Sequence, residues 1–172
     1  MENQIAEIYL HNIKKLFKEY KNLGEGAMSQ ISDEHVNYSE DKNSNSIAII
    51  VKHLTGNMLS RWTDFLNSDG EKEWRDRDSE FEGIIENKAQ LFKFWNKGWD
   101  CLFEAVNPMT VEDLNKIVYI RKEPHSVIEA INRQLTHYSY HIGQIIYISK
   151  IIISDNWKSL SVPKNKTGKF TK

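Results

Sequence analysis

His137 and His141 stand four residues apart in the run Gln134-Leu-Thr-His-Tyr-Ser-Tyr-His-Ile-Gly-Gln144. On a helix, residues at that spacing lie one above the other on the same face. Two imidazoles so stacked can share one metal ion, with a third ligand supplied by another element. Upstream, Val51-Lys-His-Leu-Thr-Gly-Asn-Met58 offers His53 on a second amphipathic segment. Three histidines from two helices form an open metal site, suited to chemistry rather than to stapling a fold.

The elements that must position them can be read from apolar spacing. Ile5, Ile8, Ile13, Leu16, Phe17, Tyr20 and Leu23 recur at helical intervals, and Gly24 with Gly26 is expected to end this first helix. A second stripe follows the polar stretch 39–46: Ile47, Ile50, Val51, Leu54, Met58, Trp62 and Phe65, broken at residues 67–70. The third is expected over residues 80–106, with Ile84, Ile85, Leu91, Phe92, Trp95, Trp99, Leu102 and Phe103 on one face and Asn107-Pro108 as its stop. The fourth is expected to open at Glu123-Pro124-His125-Ser126, where proline suits a first turn. Its stripe is Val127, Ile131, Leu135, Tyr138, Ile142, Ile145 and Ile152.

Four such helices read as an all-α four-helix bundle in a single domain over residues 1–172. The charged connection 67–79 is long enough to cross the length of the bundle. The alternation from Leu114 to Arg121 predicts a small hairpin at one end. The lysine-bearing tail 157–172 (Lys158, Lys164, Lys166, Lys169, Lys172) has no periodicity and is expected to lie irregularly over the surface or to fray.

At about 100° per residue, His141 sits roughly 60° and His137 roughly 100° to the same side of Tyr138, the centre of the fourth stripe. Gln134 and Ala130 share that flank. On the second helix His53 lies roughly 100° and Asn57 roughly 60° from Leu54. Both sets occupy the border of an apolar face, and two such borders meet at a cleft when the helices pack. Packed histidines bound only by hydrogen bonds are the competing reading. His125 is about 18 Å along a helix from His137 and cannot share its ion; a place at the bundle end is expected. His11 and His35 read as surface or loop residues.

Other features carry less chemistry. Cys101 has no basic or cationic neighbour to activate it and reads as a buried, inert thiol. The Trp74-Arg75-Asp76-Arg77-Asp78 run reads as a solvated loop, or as a cover for the cleft in which Arg75 or Arg77 grips an anionic substrate. Glycine-rich phosphate loops, nucleophile elbows and paired-carboxylate motifs do not occur. A formal net charge of −1 argues against nucleic-acid or membrane-surface binding. No apolar run approaches the roughly 20 residues of a membrane span, and no signal peptide is legible at the N-terminus. With one cysteine in the chain, a reducing cytoplasm is the expected location.

The His-Leu-x-Gly-Asn-Met segment at 53–58, followed by His-Tyr-x-x-His-x-Gly-Gln-Ile at 137–145, resembles the DinB/YfiT-like superfamily. Within it the chain is similar to a branch of uncharacterised bacterial proteins, through Asp69-Gly-Glu-Lys, Arg75-Asp-Arg-Asp, Ile128-Glu-Ala-Ile-Asn-Arg-Gln-Leu and Trp157-Lys-Ser-Leu-Ser-Val-Pro. The resemblance implies a four-helix bundle with a long crossover between helices 2 and 3. It also implies a divalent metal on His53, His137 and His141, for which three imidazoles suit zinc, nickel, iron or copper, and a homodimer, for which the aromatic Trp95 and Trp99 are the candidate surface. Relatives that transfer low-molecular-weight thiols point to a metal-dependent thiol S-transferase acting on a small-molecule substrate. A metal-dependent hydrolase and a non-catalytic metal-binding or ligand-binding bundle are the alternatives. The hydrolase needs a general base, and neither Asn57 nor Gln134 titrates.

Overall fold

The computed structural model describes residues 2–163. Its described residues form α1 (Glu2–Met28), α2 (Ile47–Trp62), α3 (Lys88–Val106) and α4 (Val127–Ile153). A hairpin of β1 (Ile117–Ile120) and β2 (Glu123–Ser126) lies between α3 and α4. This is an all-α bundle with a two-stranded ornament at one end. None of its described helices is long and apolar enough to cross a membrane.

Cross-helix contacts set the directions. Thr55 of α2 bonds to the Phe94 carbonyl, and Thr63, just past α2, meets Cys101, so α2 and α3 run parallel. Tyr9 bonds to Asn132, and Gln30 to the Lys158 carbonyl, so α1 and α4 are parallel as well. Lys14 reaches the Asn107 carbonyl while Lys21 reaches Asn96, which makes α1 and α3 antiparallel. α2 and α4 are antiparallel too: Ile50 shares a groove with Ile148 and Ile151, and Trp62 meets Tyr138. Parallel neighbours cannot be joined by a tight turn, so residues 63–87 must travel back along the bundle.

Side chains fix most of the helix starts. Ser46 accepts the Ile49 N–H and Asn87 accepts the Gln90 N–H. Ser126 and Glu129 form a reciprocal capping box. These caps correct two expected boundaries. α3 begins at Lys88, not near residue 80: residues 78–81 form only a 3-10 turn, and Asn87 supplies the cap; Ile84, expected on its face, is exposed. α4 begins at Val127, since Glu123-Pro124-His125-Ser126 pairs with β1 as an edge strand, where proline's missing N–H costs nothing. The hairpin itself was expected. Its turn residues Arg121 and Lys122 adopt φ +56° and +65°. Asp69 offsets that strain by accepting both of their N–H groups at 2.9 and 2.7 Å.

Two further ends move. α1 runs on through Gly24 and Gly26 to Met28. A Cβ at Gly24 would lie 2.5 Å from the Trp95 ring, and one at Gly26 would lie 2.8 Å from Leu160. These glycines therefore admit close neighbours rather than stop the helix. α2 ends at Trp62, short of Phe65, though Phe65 is still buried.

The core is aromatic. Phe17, Trp62, Trp95, Trp99 and Tyr138 are buried and in mutual edge or tilted contact. Trp95 and Trp99, the candidate dimer surface, are 1% and 0% exposed and face this interior. The near end of the tail lies over the surface as expected: the Lys158 N–H donates to Gln30 and Leu160 covers Gly26. Lys164, Lys166, Lys169 and Lys172 lie outside the described residues. Cys101 is half-buried beside Thr63, and burial pushes its thiol up, away from thiolate. His11 is exposed, His35 is partly exposed beside the Ser32 hydroxyl, and His125 lies in β2 at the bundle end.

A candidate metal centre between α2 and α4

The seam between α2 and α4 brings His53, His137 and His141 together. One nitrogen of each lies within 4.8 Å of the others. The three residues singled out from sequence are thus one cluster, and the fold makes it from the two stripe borders that were expected to meet.

Which nitrogens face the cluster follows from what the others bond. His53 Nδ1 lies 2.9 Å from Glu80 Oε2. A carboxylate can only accept there, so Nδ1 carries the proton and Nε2 keeps its lone pair. His141 Nδ1 lies 2.8 Å from Gln144 Oε1, which fixes the same tautomer. His141 Nε2 is then left buried with no partner among the described residues. His53 Nε2 and His137 Nε2 stand 3.2 Å apart. Two nitrogens on one tetrahedral ion at 2.0–2.1 Å would be about 3.3 Å apart. A simple hydrogen-bonded pair explains that distance but leaves the His141 nitrogen orphaned. Three convergent, mostly buried imidazole nitrogens fit a divalent ion.

Electrostatics favour the neutral, ligating form. Burial, then the neighbouring histidines and the charges of Arg75 and Arg61, push His137 down to about 3. Burial lowers His141 as well, against the opposing bond to Gln144. Neither ring competes for a proton at neutral pH.

Glu80 comes from the crossover, in a 3-10 turn (Asp78–Phe81) that no apolar pattern announced. Arg75 grips it side-on: Nε donates to Oε1 at 2.8 Å and Nη2 to Oε2 at 3.1 Å. The side chains of Arg75 and Glu80 are 2% and 6% exposed. Burial alone would raise the Glu80 carboxyl, but the bonds from His53 and Arg75 and the Arg75 charge outweigh it and hold it below its usual range. The carboxylate sits on α2 itself, because a Cβ at Gly56 would fall 2.2 Å from Oε1. An isolated glycine inside an apolar helical stripe, three residues after His53, was the available sequence signal for this approach. Phe81 and Tyr140 flank the cluster, with ring centroids 5.3 Å from His53 and 4.2 Å from His141.

A family model for proteins of unknown function, DUF1572, matches residues 4–166. The chain belongs to the DUF1572 family. No curated protein matches it.

In this DUF1572 protein the two arginines expected to grip a substrate are otherwise engaged. Arg75 is buried against Glu80, and Arg77 pairs with Glu71. The crossover nevertheless does cover the cleft, with Glu80 as its working residue. Asn57 and Gln134 separate as well. Asn57 accepts the Tyr138 hydroxyl at 3.0 Å, while that hydroxyl accepts the Trp62 N–H at 2.9 Å. Gln134 is 2% exposed and its Oε1 has no partner among the described residues.

Proposed function

We propose that the chain is a DinB/YfiT-like metalloenzyme that transfers a low-molecular-weight thiol to an electrophilic small molecule. The observation that carries this reading is the convergence of three imidazole nitrogens, two of them oriented by acceptors on the opposite ring nitrogen. Such outer partners set tautomer and ring angle, and they raise ligand basicity. A divalent ion on His53, His137 and His141, zinc, nickel or iron by donor type, would supply Lewis acidity and hold a thiol as its thiolate at neutral pH.

The remaining work falls to residues of this chain. Glu80, clamped by Arg75, keeps His53 from rotating, and the half-exposed rings of Phe81 and Tyr140 form an apolar rim that limits water at the cleft. A hydrolase would need a free carboxylate as base. Both oxygens of Glu80 are already occupied, by Arg75 and His53, which favours the transferase over it.

A homodimer and a cytoplasmic location belong to the same reading. The dimer rests on the resemblance, since Trp95 and Trp99 point inward; light scattering giving a monomer mass at micromolar concentration would remove it. The central test is direct. Cobalt-substituted protein given 2-mercaptoethanol should develop sulfur-to-metal charge-transfer absorption and consume an electrophile faster than His53→Ala does. An unchanged spectrum together with metal-dependent ester hydrolysis would reverse the order of the two readings.

A further inference from the structure

Arg61 sits two turns beyond His53 on the same face of α2. It is 4% exposed, and its Nε and Nη1 are buried with no hydrogen-bond partner among the described residues. A buried guanidinium without partners is costly, and folded proteins keep such a group for a reason. Its acidic neighbours Glu71 and Asp69 attract it, but neither hydrogen-bonds it. Glu71 is shared among Arg75, Arg77 and Arg121. Asp69 is occupied by the N–H groups of Glu71, Arg121 and Lys122. The other charges felt at Arg61 include those of Arg75 and Arg133, which are positive.

The place is enclosed. A Cβ at Gly70 would lie 2.4 Å from Arg61 Nη1, so the crossover closes directly over the guanidinium. Gly70 is itself held, its N–H by the Tyr119 carbonyl at 2.8 Å and its carbonyl by the Ser60 hydroxyl at 3.0 Å. Across the seam, the Asn57–Tyr138 bond sets the antiparallel register and brings Gln134 level with Arg61. Gln134 Oε1 is also buried and unpartnered, so the two side chains do not bond each other. Two buried polar groups at one level of the seam are thus left without partners.

We infer that Arg61 is the anion-recognition group of this cleft, and that the substrate is a small carboxylate whose reacting end lies at the histidines while Arg61 and Gln134 hold its carboxylate. The inference rests on the proposed activity for what happens at the histidines, though not for binding at Arg61. Eight residues separate His53 and Arg61, about 12 Å along the helix. A helical side chain leans back toward the N-terminus, which carries the guanidinium toward the histidines, past the level of the Asn57–Tyr138 bond. Arg61 is also among the charges that act on His137. A buried guanidinium with open donors beside a cation-binding cluster suits an anionic occupant.

The test uses the full chain, metal-loaded and after chelation, with succinate and its neutral counterpart succinamide at constant ionic strength. Calorimetry should give succinate at least tenfold tighter binding than succinamide, and succinate should raise the melting temperature. In Arg61→Met the preference should vanish, while the unliganded variant melts no lower than wild type, because an unpartnered buried charge has been removed. A merely structural arginine would instead lower the melting temperature and leave the preference intact. Equal binding of the two compounds by wild type overturns the inference even if the variant fails to fold. An Arg61-dependent preference that survives chelation, in a protein that gives no thiol signal with cobalt, leaves the carboxylate site standing and removes the transferase.

Discussion

The two halves of this bundle are held together by different physics. On one side Phe17, Trp95 and Trp99 bury large rings against one another. On the other, along the α2–α4 seam, charged and polar groups are fixed by direction: Arg75 on Glu80, Glu80 on His53, Gln144 on His141. The aromatic side stabilises through area and packing, which tolerate small shifts. The seam depends on tautomers and bond angles, which do not. Stability and metal binding should therefore separate cleanly under mutation.

The largest expected effect is on the seam. His137→Ala/His141→Ala should abolish stoichiometric metal content, read by elemental analysis, while circular dichroism retains the helical signal. Equal metal in variant and wild type would sink the site. The reciprocal change is Trp99→Ala, expected to cost about 3–5 kcal/mol in denaturant unfolding. Metal affinity of its folded fraction should stay close to wild type; a parallel loss of both would erase the contrast between the two halves.

Glu80→Gln sharpens the comparison within the seam. The amide can still accept from Arg75 but no longer presents a charged acceptor to His53, so metal affinity should fall about 10- to 100-fold. Gly56→Ala should act in the same direction but more weakly, by pushing the carboxylate off α2. A Glu80→Gln/Gly56→Ala double variant no worse than Glu80→Gln alone would place both on one path.

The smallest effect is on pH dependence. His137 and His141 have folded pKa values below their unfolded value, as does Glu80. The unfolded chain therefore binds more protons than the folded one in acid, and stability falls as pH drops. For His137 the window runs from about 6.5, the unfolded value, down to about 3. The metal-free melting temperature should decline across it, less steeply in His137→Gln. An identical slope in the variant would show that the ring is not buried neutral.

Much of the fold was legible because periodicity is a local property. Leu54, Met58, Trp62, Tyr138, Ile142 and Ile145 announce their helices through spacing alone, and all are buried as expected. The histidines were legible for the same reason: a four-residue interval and a shared stripe border are written in one dimension. Boundaries were less so. Gly24 and Gly26 carry the residue type of a stop, yet the helix runs past both to Met28, and their bare Cα positions admit Trp95 and Leu160. Pro124 carries the type of a first helical turn, yet strand pairing with Tyr119 claims it.

By itself the sequence determined four amphipathic helices, a long crossover and three histidines on two faces that had to meet. Only the tertiary structure decided what surrounds them. Glu80 reaches His53 from 27 residues away through a loop with no period. Arg75 is spent on that carboxylate, and Arg61, level with Gln134, is left without a partner. Charge pairing depends on distances between segments far apart in the chain, and no local pattern encodes those distances. Periodicity says which face a residue occupies; the packed bundle alone says which charge it meets there.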